Sequence, residues 1–480
     1  MPDGRAVSIA VAIQAGIEHH QAGRLRKAQA IYDSILRTQP NNPDALHLLG
    51  MVARQTGNLQ VALALIGKAI TLNPDAALFH NNLGEALRTL NRHDEAIAES
   101  QRALELQPDF PEAHCNLGMA LRVAGRPDEA VTHFQRAIKY RPRFIEAYLG
   151  LSETLVKLHR GDEALSCLRQ ASTFSPSDRG LACAMGITLR ALGRIDEAIA
   201  HYVRAISEHP DAPELHHNLG FTYQTQGDLM HAAECYRREL ELCPNDQVVR
   251  HMLNAVERIN SDRAPAEYVR MTFDHYSNIF DEHLVKKLEY HIPELIGKAI
   301  RDIGRRDLDS VDLGCGTGLM GPELRDISKS LAGVDLSPKM IEMARARSVY
   351  DRLVAGDLQE FLETLDPSSI DLAVATDVFV YIGRLDEIFT QCARVLRRHG
   401  VFAFSLEALV AGDFALQTTG RYAHSPEYVT ALCQRSGFQV LQHADVDIRK
   451  NLDQPVPGHM FILVKTGERP ENFASSAHVS

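Results

Sequence analysis

Three glycines at every second position, Gly314, Gly316 and Gly318, follow an apolar run ending at Leu313 and precede a helical pattern. Backbone without a Cβ can turn tightly and let a ligand come close, so the stretch reads as strand, glycine loop and helix. A dinucleotide fingerprint would place its third glycine at 319, where this chain has Leu319. Seventeen residues past Gly318, the run LAGVD ends on Asp335, an acid placed to accept both hydroxyls of a ribose. RLVAGD then ends on Asp357 and IDLAVATD on Asp377. Three successive strands would thus present a carboxylate at their C-terminal ends, the edge where open α/β sheets bind ligands.

In this order DLGCGTG, VDLSPKMIEMA, AGDL and RVLRRHGVFAFS resemble the class I S-adenosylmethionine-dependent methyltransferases, over about 200 residues. The resemblance implies a Rossmann-like domain with a seven-stranded mixed sheet and S-adenosyl-L-methionine as cofactor. It also implies roles. Asp312 would hold the methionine ammonium, with Gly314, Gly316 and Gly318 beneath the methionine and ribose and Asp335 on the ribose. Asp357 would take the adenine amino group with Leu358 beside the ring, and Asp377 completes the cofactor set. FDHYSNIFDEHL resembles the lead-in helix of small-molecule-type members, which makes Tyr276 and Phe280, and less so Tyr268, the aromatics that close over the cofactor.

Members acting on planar amide or base nitrogens carry N/D-P-P-Y/F after the fourth strand. This chain has Asp377-Val378-Phe379-Val380, so adenine N6 and glutamine amides are poor acceptors. Tyr381 follows and is expected either at the substrate or in the core. The segment GRYAHS puts Arg421, Tyr422 and His424 on a loop over the substrate mouth. His424 has an intrinsic pKa suited to accepting a proton and is the general-base candidate; its other reading is a cap on the helix starting at Ser425-Pro426. FQVLQHADVDIR and GHMFILVKT should form the antiparallel hairpin that separates this fold from a dinucleotide-binding domain.

Elements on this scale need a long chain. The 480 residues exceed one ordinary core, and 45% apolar residues indicate a globular protein. A net charge of −11 argues against a nucleic-acid groove, whose affinity comes from cations on phosphates. The eight cysteines lack C-x-x-C pairs and histidines at zinc spacing, so neither disulfides nor a metal site are expected and the thiols read as small buried hydrophobes. No basic leader with an apolar core opens the sequence, and no run approaches the roughly 18 apolar residues of a membrane span. A cytoplasmic protein is expected.

The first half repeats at a spacing of 34. Small residues recur at Gly16, Gly50, Gly84, Gly118, Ser152, Gly186 and Gly220, alanines from Ala28 to Ala232, and prolines from Pro40 to Pro244. This resembles the tetratricopeptide repeat (TPR). The small residue and the alanine sit where two helices cross closest, and each proline ends the second helix. One unit cannot bury its own face, so seven form a solenoid, closed by the polar-faced helix QVVRHMLNAVERI. The resemblance implies a concave surface for a protein or peptide, with Asn82, Asn116 and Asn218 as a ladder to peptide backbone; otherwise these amides satisfy neighbouring groups. His80, His114, His216 and His217 are expected to be exposed.

The expected organisation is a superhelix over 1–258, a linker over 259–266, a methyltransferase domain over 267–467 and a disordered tail over 468–480. The module order and the phrases EYVRMTFDHYSNIFDEHL, DVFVYIG and GRYAHS resemble bacterial methyltransferases fused to TPRs. Three functions compete: a methyltransferase whose repeats recruit a protein substrate or partner, one acting on a small molecule with the repeats only for docking, and an adaptor with a non-catalytic domain. A nicotinamide-dependent reductase comes fourth.

Overall fold

Each period of the repeat supplies two helices. The computed structural model describes residues 8–276, 281, 284, 288–451 and 454–466. The pairs begin with Ile9–Gln21 and Leu25–Thr38 (α1, α2), Pro43–Gln55 and Leu59–Leu72 (α3, α4), and Ala77–Thr89 and His93–Leu106 (α5, α6). They continue with Pro111–Val123 and Pro127–Tyr140 (α7, α8), Ile145–Lys157 and Gly161–Ser172 (α9, α10), and Arg179–Ala191 and Ile195–Glu208 (α11, α12). Pro213–Gln226 (α13), Leu229–Leu242 (α14) and Gln247–Glu257 (α15) follow.

The column glycines are small because each faces the side chain 16 residues ahead: Gly16 meets Tyr32, Gly50 Ile66, Gly118 Phe134, Gly186 Tyr202 and Gly220 Tyr236, each within 3 Å of where a Cβ would stand. Ala28, Ala62, Ala130, Ala164, Ala198 and Ala232 are wholly buried on the facing helices. The array's histidines differ from expectation. His80, His114 and His216 are buried, and Nε2 of each donates to the carbonyl of the proline six residues before it, at 3.0, 3.1 and 3.0 Å. Tyr148 and Arg250 do the same for Pro142 and Pro244. Each of these prolines lies in the turn just past a helix, where its carbonyl has no place in the helical ladder, and this position supplies the donor.

The chain divides into two compact units, Met1–Asn218 and Leu219–Ser480. That division falls inside α13, whereas the sequence suggested a joint at 259–266. Within the second unit α15 buries Val249, His251, Met252, Leu253, Ala255 and Val256 instead of presenting a polar cap, and Nε2 of His251 donates to the Gly420 carbonyl at 2.9 Å. The polar composition of 259–266 also has a use. Asn260 donates to the Phe414 carbonyl and accepts from the Leu416 N–H, the Asp262 carbonyl accepts from the Gly383 and Arg384 amides, and the Ala264 N–H donates to the Tyr381 carbonyl.

Among the described residues nine strands make one sheet: Leu308–Leu313 (β1), Ser328–Asp335 (β2), Arg352–Ala355 (β3), Ile370–Ala375 (β4), Leu396–Ala408 (β5), Phe414–Leu416 (β6), Tyr422–His424 (β7), Phe438–Asn451 (β8) and Gln454–Lys465 (β9). β3, β2, β1, β4 and β5 run parallel in that order. β9 lies antiparallel between β5 and β8, the hairpin anticipated in the sequence. Short β7 and β6 branch from the end of β5. Apolar side chains cover both faces, with Phe389, Phe402, Phe404 and Phe461 in one core and Ile296, Leu331, Leu372 and Ile462 in the other. The order of strands reverses between β1 and β4, and a crevice opens there at their carboxyl ends.

Candidate active site

The crevice holds a cavity lined from several strand ends, the usual place for a ligand in an open α/β sheet. Gly314 and Gly316 line it from the glycine loop, Asp335 and Leu336 from the end of β2, Asp357 and Leu358 after β3, and Asp377 and Tyr381 after β4. Its remaining wall comes from before the sheet. Arg263 and Ala264 of the expected linker contribute, as do Val269 and Phe273 of Ala266–Tyr276 (α16) and buried Tyr290. Phe273 meets Tyr381 edge-on at 5.4 Å between ring centres. Tyr276 closes α16, but its side chain and Phe280 lie outside the described residues.

Asp335 joins loop to strand: Oδ2 accepts from the Gly316 N–H at 3.0 Å and Oδ1 from the Ser337 N–H at 2.8 Å. Burial pushes its carboxyl up to about 6, against the pull of those two amides. Each oxygen keeps a second lone pair. Gly316 has φ +54°, and a Cβ there would meet nothing within 4 Å, so the loop leaves its space to a ligand. Gly318 lines no part of the cavity and instead passes Tyr350 and Arg347 closely. The lead-in segment is anchored by its two aspartates. Asp274 accepts from the Ser337 hydroxyl at 2.5 Å, and Asp281 accepts from Thr317 and pairs with Arg347.

Asp312 lies behind the cavity wall. It is wholly buried, with Oδ2 accepting from the Tyr350 hydroxyl at 2.6 Å and Oδ1 without a partner among the described residues. Burial pushes it up to about 7, Tyr350 pulls it down and Asp335 adds to the rise. Asp357 has both oxygens engaged. Oδ1 caps the helix Leu358–Glu363 through the Gln359 N–H at 2.8 Å, and Oδ2 pairs with Arg263.

Beside the cavity a buried ion network forms that the sequence did not reveal. Arg449 donates to Asp377 at 2.7 Å and to Glu407, and Arg421 stands 3.5 Å from Glu407. Burial pushes both carboxyls up and Arg421 pulls both down, so two guanidiniums balance two carboxylates. Arg449 reaches the network because a bulge at Asp447/Arg449 turns two successive residues, Ile448 and Arg449, inward.

The GRYAHS residues do not form a loop over the mouth. His424 is wholly buried in β7, lines no part of the cavity and donates from Nε2 to the Gly383 carbonyl at 2.9 Å. Burial pushes it down to about 4, and its remaining nitrogen faces protein, so it has no access to a proton in the cavity. Ser425, not His424, caps the helix Pro426–Ser436. Tyr422 is buried as well, its hydroxyl 2.6 Å from that of Ser261. Of this segment only Arg421 turns toward the network, 5.8 Å from the centre of the Tyr381 ring.

In the array the asparagines meet the preceding repeat. Asn82 Nδ2 lies 2.7 Å from His47 Nε2, and Asn116 Nδ2 donates to Asn81 Oδ1 at 2.9 Å. Asn218 donates to the Glu214 carbonyl of its own helix at 2.8 Å and reaches Cys183 Sγ of the preceding repeat at 3.9 Å.

A family profile described as a methyltransferase domain matches residues 311–404, the span from β1 through the heart of β5. Tetratricopeptide repeat profiles match 13–70, 47–111, 111–144 and 213–246, and a TPR repeat profile matches 186–227. The chain joins TPR repeats to a methyltransferase domain. The methyltransferase domain is similar to malonyl-[acyl-carrier protein] O-methyltransferase of Serratia marcescens, 30% identical over 122 residues, covering 24% of this chain and 46% of that protein. It is also similar to a probable S-adenosylmethionine-dependent methyltransferase of Mycolicibacterium smegmatis, 26% identical over 136 residues, covering 28% and 52%. The chain spans about half the length of the curated relatives it matches. Among solved structures, a tetratricopeptide repeat protein of Parabacteroides merdae is 19% identical with a TM-score of 0.43, covering 52% of this chain and 99% of that one. The cofactor of such a methyltransferase domain is S-adenosyl-L-methionine, and the open glycine loop, the available lone pairs of Asp335 and the apolar wall of Leu336, Leu358 and Phe273 fit a nucleoside of that kind. No helix among the described residues is long and apolar enough to cross a membrane.

Proposed function

We propose that this protein is an S-adenosylmethionine-dependent methyltransferase whose repeat array recruits a protein substrate or partner. The observation that carries the reading is the cavity whose floor is the glycine loop tied by Asp335. When bound, the cofactor supplies a methyl group already activated on a sulfonium, so the protein need only orient an acceptor and exclude water. Asp335 would hold the nucleoside end, and Leu358 would offer an apolar surface to its base. Asp312, wholly buried behind the wall, would support the glycine loop from below through its bond to Tyr350 and does not itself line the cavity. Phe273 and Tyr381 close the apolar side, and the balanced network of Asp377, Glu407, Arg421 and Arg449 keeps the acceptor end polar without net charge. His424 supplies no base, so an acceptor that ionises on its own, such as a carboxylate, phenol or thiol, suits the site.

A second reading has support in the relatives' names. Malonyl-[acyl-carrier protein] O-methyltransferase and a ubiquinone biosynthesis O-methyltransferase of Cupriavidus pinatubonensis are named for small oxygen acceptors, one of them carried on a protein. A small acceptor would leave the repeats to docking alone. Transfer of labelled methyl groups into a lysate, with wild type set against Gly316→Arg, tests both. Label in the protein fraction supports recruitment, and label confined to small molecules supports the second reading. Equal labelling by the two proteins contradicts the use of this cavity.

A further inference from the structure

The β8–β9 hairpin carries a second group of ligand-capable side chains, apart from the cavity. His443 and Asp445 stand two residues apart on β8 and therefore share one face, and His459 of β9 pairs in register with Asp445. Nε2 of His443 lies 3.3 Å from Nδ1 of His459, which lies 2.9 Å from Oδ1 of Asp445; that oxygen is 3.8 Å from Nε2 of His443. This is the one such convergence of three donors among the described residues. Ligands at the usual distances from a tetrahedral zinc ion stand about 3.3–3.4 Å from one another, so the triangle has the dimensions of one face of such a coordination shell.

Packing, not an ion, sets the rings. The His443 imidazole stacks on buried Phe461 with 4.3 Å between ring centres and 6° between planes. His459 is held on β9, which pairs with β5 on one side and β8 on the other. Hydrogen bonding alone serves this arrangement poorly. A neutral His459 that donates from Nδ1 to Asp445 has only that one proton to offer both neighbours, and the facing ring nitrogens can share no second one.

We propose that His443, Asp445 and His459 bind one divalent transition-metal ion of the zinc class, with the fourth position open to water. Two imidazoles and a carboxylate suit zinc and its neighbours over magnesium or calcium, which prefer oxygen ligands. An ion here clamps β8 to β9, and the site is independent of the methyltransferase reading.

The test uses the full chain, stripped with a chelator and titrated with zinc chloride by calorimetry and with cobalt chloride by visible absorption. The comparison proteins are His459→Ala and His443→Phe, the latter keeping the stack on Phe461 while removing the nitrogens. Wild type should take up one equivalent of zinc more than either variant, with the site weakened at least about 100-fold in both, and only wild type should give the absorption of four-coordinate cobalt. Circular dichroism confirms that the variants are folded. Equal stoichiometry and affinity in all three proteins, or no binding by wild type, overturns the proposal.

Discussion

The repeat array and the sheet unit use buried polar groups in opposite ways. In the array a histidine or tyrosine six residues after a proline closes that proline's carbonyl, and asparagines of one repeat bond to the repeat before it. These groups recur at the repeat spacing and are consumed in making it. In the sheet unit the buried polar groups do not recur. Several gather around one cavity, among them the Asp377, Glu407, Arg421 and Arg449 network. Oδ1 of Asp312 has no partner among the described residues, but neither do Tyr32 Oη and Ser100 Oγ of the array, so a missing partner alone does not mark a site. Periodic placement marks the scaffold, and convergence on one cavity marks the site.

The strongest challenge to this contrast is where the scaffold stops. If α14 and α15 belong with the sheet unit, a fragment beginning at residue 213, the start of α13, should fold and melt cooperatively. One beginning at 259 should aggregate or fail to melt as a unit, because it loses His251 on the Gly420 carbonyl and the core that joins Ala255 to Val380 and Tyr422. Thermal denaturation followed by circular dichroism decides it, and a well-folded 259–480 fragment would return the boundary to the polar stretch.

Next in size is Arg449→Met. It leaves Asp377 and Glu407 buried beside one guanidinium in place of two and should cost about 3–5 kcal/mol in urea unfolding. Adding Asp377→Asn and Glu407→Gln should recover part of that loss. On the scaffold side, Gly186→Val puts a Cβ 2.0 Å from Tyr202 Cζ and should cost about 1–3 kcal/mol while cofactor affinity stays within twofold. A large loss of affinity would show that the array is not a separate scaffold.

The smallest effect is a pH slope. Burial raises Asp312 from 3.8 to about 7, so in the ligand-free protein the folded form keeps a proton that the unfolded chain has already shed. Its contribution to stability therefore falls as pH rises from about 4 to about 7 and levels off above. Melting temperatures across that window should show a shallower decline in Asp312→Asn than in wild type.

How much of this was legible in sequence follows from the range of the interactions. The columns of Gly, Ala and Pro are short-range and repeat in phase, so the array could be read directly. The glycine loop and Asp335 are also local to one strand, loop and helix, and they stand at the cavity. The network was not legible, because Arg449 comes from the far end of the chain and only a bulge turns it inward. The bonds of residues 259–266 were hidden for a related reason: polar side chains that pair with backbone more than 100 residues away look like a solvated linker. His424 looked like a base because an imidazole near neutrality is the default, and burial in β7 removes that default. The histidines of the array could have been placed, since their distance of six from each proline was in plain view. His443 and His459 meet only through strand register, which no spacing along the chain encodes.

Calorimetric titration of S-adenosyl-L-methionine into the full chain, alongside Gly316→Arg and with NADH as a competing ligand, tests the central claim most directly. One molecule of S-adenosyl-L-methionine should bind per wild-type chain, the variant should bind at least about 100-fold more weakly, or about 2.7 kcal/mol, and NADH should give no heat. Binding of NADH in its place, or equal affinity in the two proteins, would contradict the assignment of the cavity.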